Sequence, residues 1–267
     1  NLSLSRFTTI KIGGIAESVY FPIGLEGIID VIKEIRESGK PFFVLGGGSN
    51  VIIFDRKLDC AVIMTSHLTK YRFFEPETHL EVESGMSLSI LSDLAASKSL
   101  SGLEFCAGLP GTLGGAVFMN ARAYDSEIAD LVTEVEAFDY EKNELIKLSK
   151  EECAFEYKNS IFQKKPYFIF KIKLNLLKGQ TKINIIKKME DYKFDRKEKG
   201  QYLHNSAGCA FKNNYQAGVS SGRIIDELGL KGFCIGGIKV SERHANFLVN
   251  TGGGTSQDYL KMVKEIQ

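Results

Sequence analysis

Leu45-Gly46-Gly47-Gly48-Ser49-Asn50 follows the apolar run Phe42-Phe43-Val44, and about sixty residues on comes Gly108-Leu109-Pro110-Gly111-Thr112-Leu113-Gly114-Gly115-Ala116. Glycine omits the Cβ that would keep a ligand off the main chain, so successive N–H groups are able to turn toward an anion. Neither bend carries the Gly-x-x-x-x-Gly-Lys-Ser/Thr spacing of a phosphate-transfer loop, and Gly46 to Val51 lacks the third glycine of the dinucleotide fingerprint. Read alone, the first bend is equally compatible with a tight strand connection. The second says more: Pro110 between glycines fixes the backbone, and the small residues after it permit close approach of a flat ring. Two cradles in one chain predict a ligand with a diphosphate and a long body, gripped twice. A dinucleotide bound outside the Rossmann scheme fits, with flavin adenine dinucleotide the natural candidate.

Working outward from the first bend, Ile28, Ile29, Ile32 and Ile35 have helical spacing over 24–38, and Gly39 supplies a stop. Strands are expected at 42–45, 51–53 and 61–64, making an α/β unit of residues 1–64. Polar and apolar residues then alternate from His79 to Glu83, as in a half-exposed strand, and a helix follows over 87–97. The tail of the second bend, 114–121, predicts a helix start, and strands at 131–138, 144–148 and 167–174 complete a second unit, 65–175. The charged stretch 178–200 reads as a solvated helix leading into a third unit, 176–267. That unit has strands near 209–211, 236–240 and 246–249 and a helix over 221–228 stopped by Gly229. Thr255 and Asp258 are spaced as a capping box for a last helix.

Bulk properties narrow the function. At 267 residues and 43% hydrophobic the chain can build real cores, and its formal charge of +1 gives no reason to expect nucleic acid or a membrane surface as partner. Five cysteines without a Cys-x-x-Cys, and four scattered histidines, argue against a disulfide framework or a metal centre. No run of eighteen apolar residues and no signal-peptide pattern occurs. A cytoplasmic protein is expected, with both ends of the sequence clipped.

Several segments, in order and spacing, resemble the UDP-N-acetylenolpyruvoylglucosamine reductase (MurB) family, in its shorter type II branch. They are Phe7 to Gly14, Leu45 to Val51, Gly102 to Asn120, Phe155 to Phe162, Ser206 to Asn213, Gly229 to Gly232 and Val240 to Phe247. The resemblance implies an α+β chain: a two-lobed FAD-binding fold of the PCMH/vanillyl-alcohol-oxidase type plus a C-terminal α+β substrate-binding domain. It also implies non-covalent FAD, NADPH as hydride donor, UDP-N-acetylglucosamine enolpyruvate as substrate and a monomer. FAD would lie against Gly46, Gly47, Gly48, Ser49, Asn50, Gly108, Pro110, Gly111, Thr112, Gly114 and Gly115.

Reduction of the enolpyruvyl vinyl ether calls for a proton donor and a fixed positive group. Where the family usually has a serine donor this chain has Cys209, a stronger acid that is mostly protonated near neutrality. Where the family has an arginine it has Lys158, which keeps the charge and loses the bidentate fork. A buried packing cysteine and an ordinary surface lysine are the bland alternatives. The resemblance further implies substrate contacts at Tyr124, Arg196, Asn213, Lys231 and His244, and a glutamate on a strand beyond the last helix, where this sequence has ended. Arg122 and Asp125 stand for glycines beside Tyr124, and Asn214 for a proline. These departures leave open a differently specific or non-catalytic flavin-binding relative.

Overall fold

A computed structural model describes all residues except 76, 215 and 217. The chain divides into two compact units. A terminal unit comprises Asn1–Ser18, Gly48–Asp59 and Phe194–Gln267; a central unit comprises Val19–Gly47 and Cys60–Lys193. Both are discontinuous, whereas the expected parts 1–64, 65–175 and 176–267 are contiguous.

In the central unit an antiparallel sheet runs in the order Glu144–Ser149, Val132–Asp139, Tyr167–Asn175, His79–Glu83, Tyr71–Phe74. Both of its faces are covered, and one strand shows how. Phe138 pairs with Phe168, and Val135 with Ile172, but the register slips between Ile169 and Lys171. The extra residue reverses the alternation, as a β-bulge does. Phe168 and Phe170 therefore pack with Ile28, Ile32 and Ile35 of helix α1 (Gly24–Glu37). Ile172 and Leu174 pack instead with Leu88, Leu91 and Ala95 of α2 (Leu88–Ser97) and Leu113 and Val117 of α3 (Leu113–Met119). The run Phe42–Leu45 pairs in parallel with 61–64, which places the first glycine bend at the strand's C-terminal end.

Helix α4 (Lys182–Glu198) is not solvated all round. Ile185 and Met189, four residues apart, are buried against Ala96 and Ala107. Its lysines occupy the remaining faces, so the charge pattern hid a narrow apolar contact.

The terminal unit holds an antiparallel sheet ordered Asn205–Cys209, Phe247–Asn250, Ile238–Val240, Cys234–Ile235. Helices α5 (Ser221–Glu227) and α6 (Ser256–Ile266) bring Ile225, Tyr259 and Met262 onto Ile10, Ile12, Val240 and Leu248. The capping box forms: Thr255 Oγ1 accepts from the Asp258 N–H at 3.1 Å, and Asp258 Oδ2 accepts from the Thr255 N–H at 3.1 Å. The expected strand at 51–53 is absent, while Ile15–Tyr20 forms a strand that the sequence did not announce. Ile53 is buried outside any ladder, while Val51 is exposed: an apolar run does not by itself make a strand.

Candidate functional site

Within the central unit the two glycine bends meet. A Cβ on Gly46 would run into Thr112 Oγ1, and one on Gly47 would stand 2.7 Å from the Gly111 Cα. Glycine thus fits at 46 because the Thr112 side chain fills the space of a Cβ, and is required at 47 because the Gly111 backbone passes with no room between. The second bend spends most of its amides on the protein. Gly108 N–H donates to Ser89 Oγ at 3.3 Å, Gly114 N–H to the Ser84 carbonyl at 2.7 Å, and Gly115 N–H to Thr112 Oγ1 at 3.3 Å. Among the described residues no acceptor takes the N–H of Gly46, Gly47, Gly111 or Thr112. Four amides around one contact therefore keep their donors for an outside acceptor, which fits a ligand carrying phosphate oxygens. Pro110, which lacks an N–H, shapes the bend without competing for that acceptor.

Also in this unit, Lys158 sits on a two-residue hairpin closed by Glu156 and Asn159, whose N–H and C=O groups exchange bonds of 3.1 and 3.2 Å. Its φ is +56°, a left-handed conformation that a lysine adopts only when its surroundings impose it. The surroundings are specific. Ser160 Oγ and Gln163 Nε2 both donate to the Phe118 carbonyl, at 2.8 and 2.7 Å, and Asn120 Nδ2 donates to the Glu156 carbonyl at 3.1 Å. The hairpin is thereby tied to the C-terminal end of α3, the helix that begins at the second bend.

Tyr124 and Asp125 occupy the tip of another two-residue hairpin, in which Arg122 faces Glu127 and Ala123 faces Ser126. Their φ values of +52° and +57° are those of a type I′ turn. Aspartate tolerates that geometry, so Asp125 makes the turn in place of the expected glycine. Tyr124 is held otherwise: its ring stacks on Tyr192 with centroids 3.9 Å apart, and its hydroxyl donates to the Tyr192 carbonyl at 3.1 Å. The proton of that hydroxyl is engaged by the Tyr192 carbonyl.

The terminal unit carries Gly48, Ser49 and Asn50 of the first bend together with Cys209. Gly48 has φ +60°, and a Cβ there would strike the Phe7 carbonyl. Cys209 is exposed and lies just past a bulge: Ser206 faces Val249, and the next residue in register is Cys209, facing Phe247. Gly208, at φ +77°, supplies the bend, and a Cβ on it would lie 3.9 Å from the Ser49 carbonyl. Asn246, buried, then grips the chain beyond the thiol. Its Oδ1 accepts from the Phe211 N–H at 2.9 Å, its Nδ2 donates to the Phe211 carbonyl at 2.9 Å, and its own carbonyl accepts from the Ala210 N–H at 2.8 Å. Asn213 Oδ1 accepts from the Ser221 N–H at 3.0 Å, closing the loop onto the start of α5.

Arg196 is 5% exposed and donates from Nη1 to Gln201 Oε1 at 3.1 Å. Lys231 Nζ contacts Asp226 Oδ2 at 2.6 Å. His244 packs its ring on Phe247, 4.7 Å between centroids, and its Nδ1 is buried without a hydrogen-bond partner among the described residues. Burial lowers its pKa, and Lys199 and Lys231 push the same way. A neutral ring can give or take a hydrogen bond but adds no positive charge. The terminal unit thus brings Lys231 and His244 into one basic neighbourhood, and Gly48, Ser49, Gly208 and Cys209 into another group. Lys158 and Tyr124 belong to the central unit. Sequence reading assigned no role to Asn120 or Asn246, although both lie in the segments that carry the resemblance. For Asn120, a polar residue closing the apolar run Leu113 to Met119 was the available signal; Asn246, among polar neighbours, offered none.

Comparison with known proteins bears on the whole chain. Residues 16–149 match the family model for an FAD binding domain, and residues 200–267 that for the C-terminal domain of UDP-N-acetylenolpyruvoylglucosamine reductase. The reductase of that name from Caldanaerobacter subterraneus subsp. tengcongensis is 39% identical over 267 residues, covering 100% of this chain and 86% of the relative. That from Borreliella burgdorferi is 40% identical over 266 residues, 99% of this chain and 87% of the relative. The crystal structure of UDP-N-acetylenolpyruvylglucosamine reductase (MurB) from Thermus caldophilus superposes with a TM-score of 0.86 at 34% identity, over 100% of this chain and 93% of that one. The expected fold follows: an α+β FAD-binding domain joined to the C-terminal domain of this family.

Proposed function

We infer the activity from kinship: the chain belongs to the UDP-N-acetylenolpyruvoylglucosamine reductase family. It is an oxidoreductase that reduces the enolpyruvyl group of UDP-N-acetylglucosamine enolpyruvate to give UDP-N-acetylmuramate, a step of peptidoglycan synthesis. FAD, when bound, supplies the redox chemistry by accepting a hydride from NADPH and passing one to the terminal carbon of the enolpyruvyl group. Similarity over essentially the whole chain carries this reading, supported by the close packing of Gly47 on Gly111.

The residue roles are our proposal. Gly46, Gly47, Gly48, Ser49 and Asn50 would contribute to holding FAD, as would Gly108, Pro110, Gly111, Thr112, Gly114 and Gly115. The unengaged amides of Gly46, Gly47, Gly111 and Thr112 meet its diphosphate, whereas Gly114 serves by close packing. Cys209 gives the proton of its Sγ–H to the substrate carbon that bears the carboxylate, so that one hydride and one proton together saturate the double bond. The Lys158 ammonium faces the charge that develops on that carboxylate. Arg196, Lys231 and the Tyr124 hydroxyl meet the substrate diphosphate, Lys231 by exchanging Asp226 for it, with Asn213 and a neutral His244 as hydrogen-bond partners. In this division residues 1–64 and 65–175 carry the cofactor and 176–267 the sugar nucleotide, with Tyr124 and Lys158 of the middle part also reaching the substrate. We place the enzyme in the cytoplasm as a monomer, acting in the wall synthesis that growth and division require. Mass spectrometry of the NADPH-driven product tests the activity: the substrate must gain two hydrogens, and an unchanged substrate mass would contradict it.

A further inference from the structure

The segment Phe7 to Gly14 resembles the family as strongly as either bend does, yet none of the roles above uses it. Its place in the terminal unit is firm. Ile10 and Ile12 are fully buried in the core, Asn250 Nδ2 donates to the Ile10 carbonyl at 3.0 Å, and Thr8 Oγ1 donates to the Ile12 carbonyl at 2.9 Å. From that anchored stretch Thr9 reaches two functional elements at once. Its N–H donates to the Gly48 carbonyl at 3.0 Å, and its hydroxyl donates to the Ser206 carbonyl at 2.6 Å, with the Gly48 carbonyl 3.4 Å away. Ser206 is the last residue in register before the bulge that presents Cys209. Such a bulge loosens the ladder where it falls, so a carbonyl held there from outside fixes how the next residues leave the strand.

We propose that Thr9 is a positioning residue for proton transfer, tying the cofactor bend at Gly48 to the strand that carries the Cys209 thiol. The proposal rests on the reading of Gly48 as a cofactor residue and Cys209 as the donor. Thr9 touches neither substrate nor reacting atoms; it sets the separation of two elements that do. Geometry of that kind acts on the step in which the proton moves and leaves hydride delivery from NADPH alone.

The test uses full-length enzyme loaded with FAD, reduced anaerobically with NADPH and then mixed with UDP-N-acetylglucosamine enolpyruvate. Thr9→Val keeps the shape and removes the hydroxyl; Thr9→Ser restores the hydroxyl. In Thr9→Val we expect substrate-driven reoxidation to slow about tenfold, less than the roughly 10²–10⁴-fold that a proton donor itself contributes. Reduction by NADPH should stay within about twofold, and Thr9→Ser should recover most of the loss. Reoxidation at the parent rate, or equal slowing of both half-reactions without rescue by serine, would overturn the proposal. Cys209→Ala, measured alongside, separates the claims. A slow Cys209→Ala with an unaffected Thr9→Val removes the positioning role alone; a Cys209→Ala as fast as the parent removes the donor assignment and the positioning role with it. A second readout needs no cofactor: the rate at which iodoacetamide alkylates Cys209 across pH, followed by mass. Thr9→Val should change that profile and Thr9→Ser should not. If Thr9→Val fails to retain FAD, an alkylation profile identical to the parent's overturns the proposal by itself.

Discussion

Gly47 and Gly111 pass so closely that a Cβ on the first would stand 2.7 Å from the Cα of the second. No rotamer relieves that contact, because a Cβ is fixed by its own backbone and the atom it meets is backbone too. Gly47→Ala therefore forces the two bends apart and moves the amides proposed to hold FAD. We expect FAD affinity to fall by about tenfold or more, equivalent to at least about 1.4 kcal/mol, read from fluorescence titration of apoprotein. Gly27→Ala, in α1, is the control: outside the helix its Cβ would meet Pro22 atoms at 3.7 to 3.8 Å, ordinary contact, and it should raise stability by about 0.5–1 kcal/mol with affinity unchanged. Equal affinities in the parent and Gly47→Ala would contradict the packing argument.

Cys209→Ala removes the proposed proton and little volume. Substrate turnover should drop by about 10²–10⁴-fold while reduction by NADPH continues, which stopped-flow absorbance separates. Cys209→Ser should fall between the two, because a hydroxyl is a weaker acid than a thiol. A serine variant no better than alanine would show that the side chain is not passing a proton.

Tyr124→Phe discriminates between two uses of one hydroxyl. Its bond to the Tyr192 carbonyl, at 3.1 Å, holds a strained turn, so its loss should cost about 1 kcal/mol in urea denaturation. If the oxygen also accepts a hydrogen bond from bound nucleotide, KM should rise while kcat holds. An unchanged KM would confine Tyr124 to the fold.

His244 gives the protein an acid-sensitive limb. Burial lowers its pKa in the folded state below the ordinary value of 6.5, so the unfolded chain takes up the proton first. Its contribution to stability is complete above that ordinary value and is lost as pH falls toward the lowered one. His244→Gln should flatten the stability profile between about pH 7 and pH 5, measured by denaturation at stepped pH. Parallel profiles for the parent and the variant would contradict the burial argument.

Much of this was legible in the sequence because local signals and burial agree. Of the isoleucines of α1 that recur at helical spacing, Ile28, Ile32 and Ile35 are buried, and Thr255 with Asp258 forms the capping box that the spacing announced. Val51 to Ile53 misled because an apolar run outside any ladder looks, in sequence, like a strand; of the three, Ile53 is buried and Val51 exposed. The sheet with two covered faces stayed hidden because its bulge at Phe170 breaks the alternation by which faces are read. At the site, glycine positions were visible; their reason was not. Gly46 and Gly47 answer to residues on another bend, and the bridge from Thr9 to Ser206 spans 197 positions, a separation that no window along the chain can show.

The most direct test of the account is the visible absorbance of the purified protein through one anaerobic cycle. Bleaching by NADPH followed by recovery on addition of UDP-N-acetylglucosamine enolpyruvate is the predicted result. A protein that stays colourless after incubation with FAD, or that bleaches and is not restored by that substrate, would contradict it.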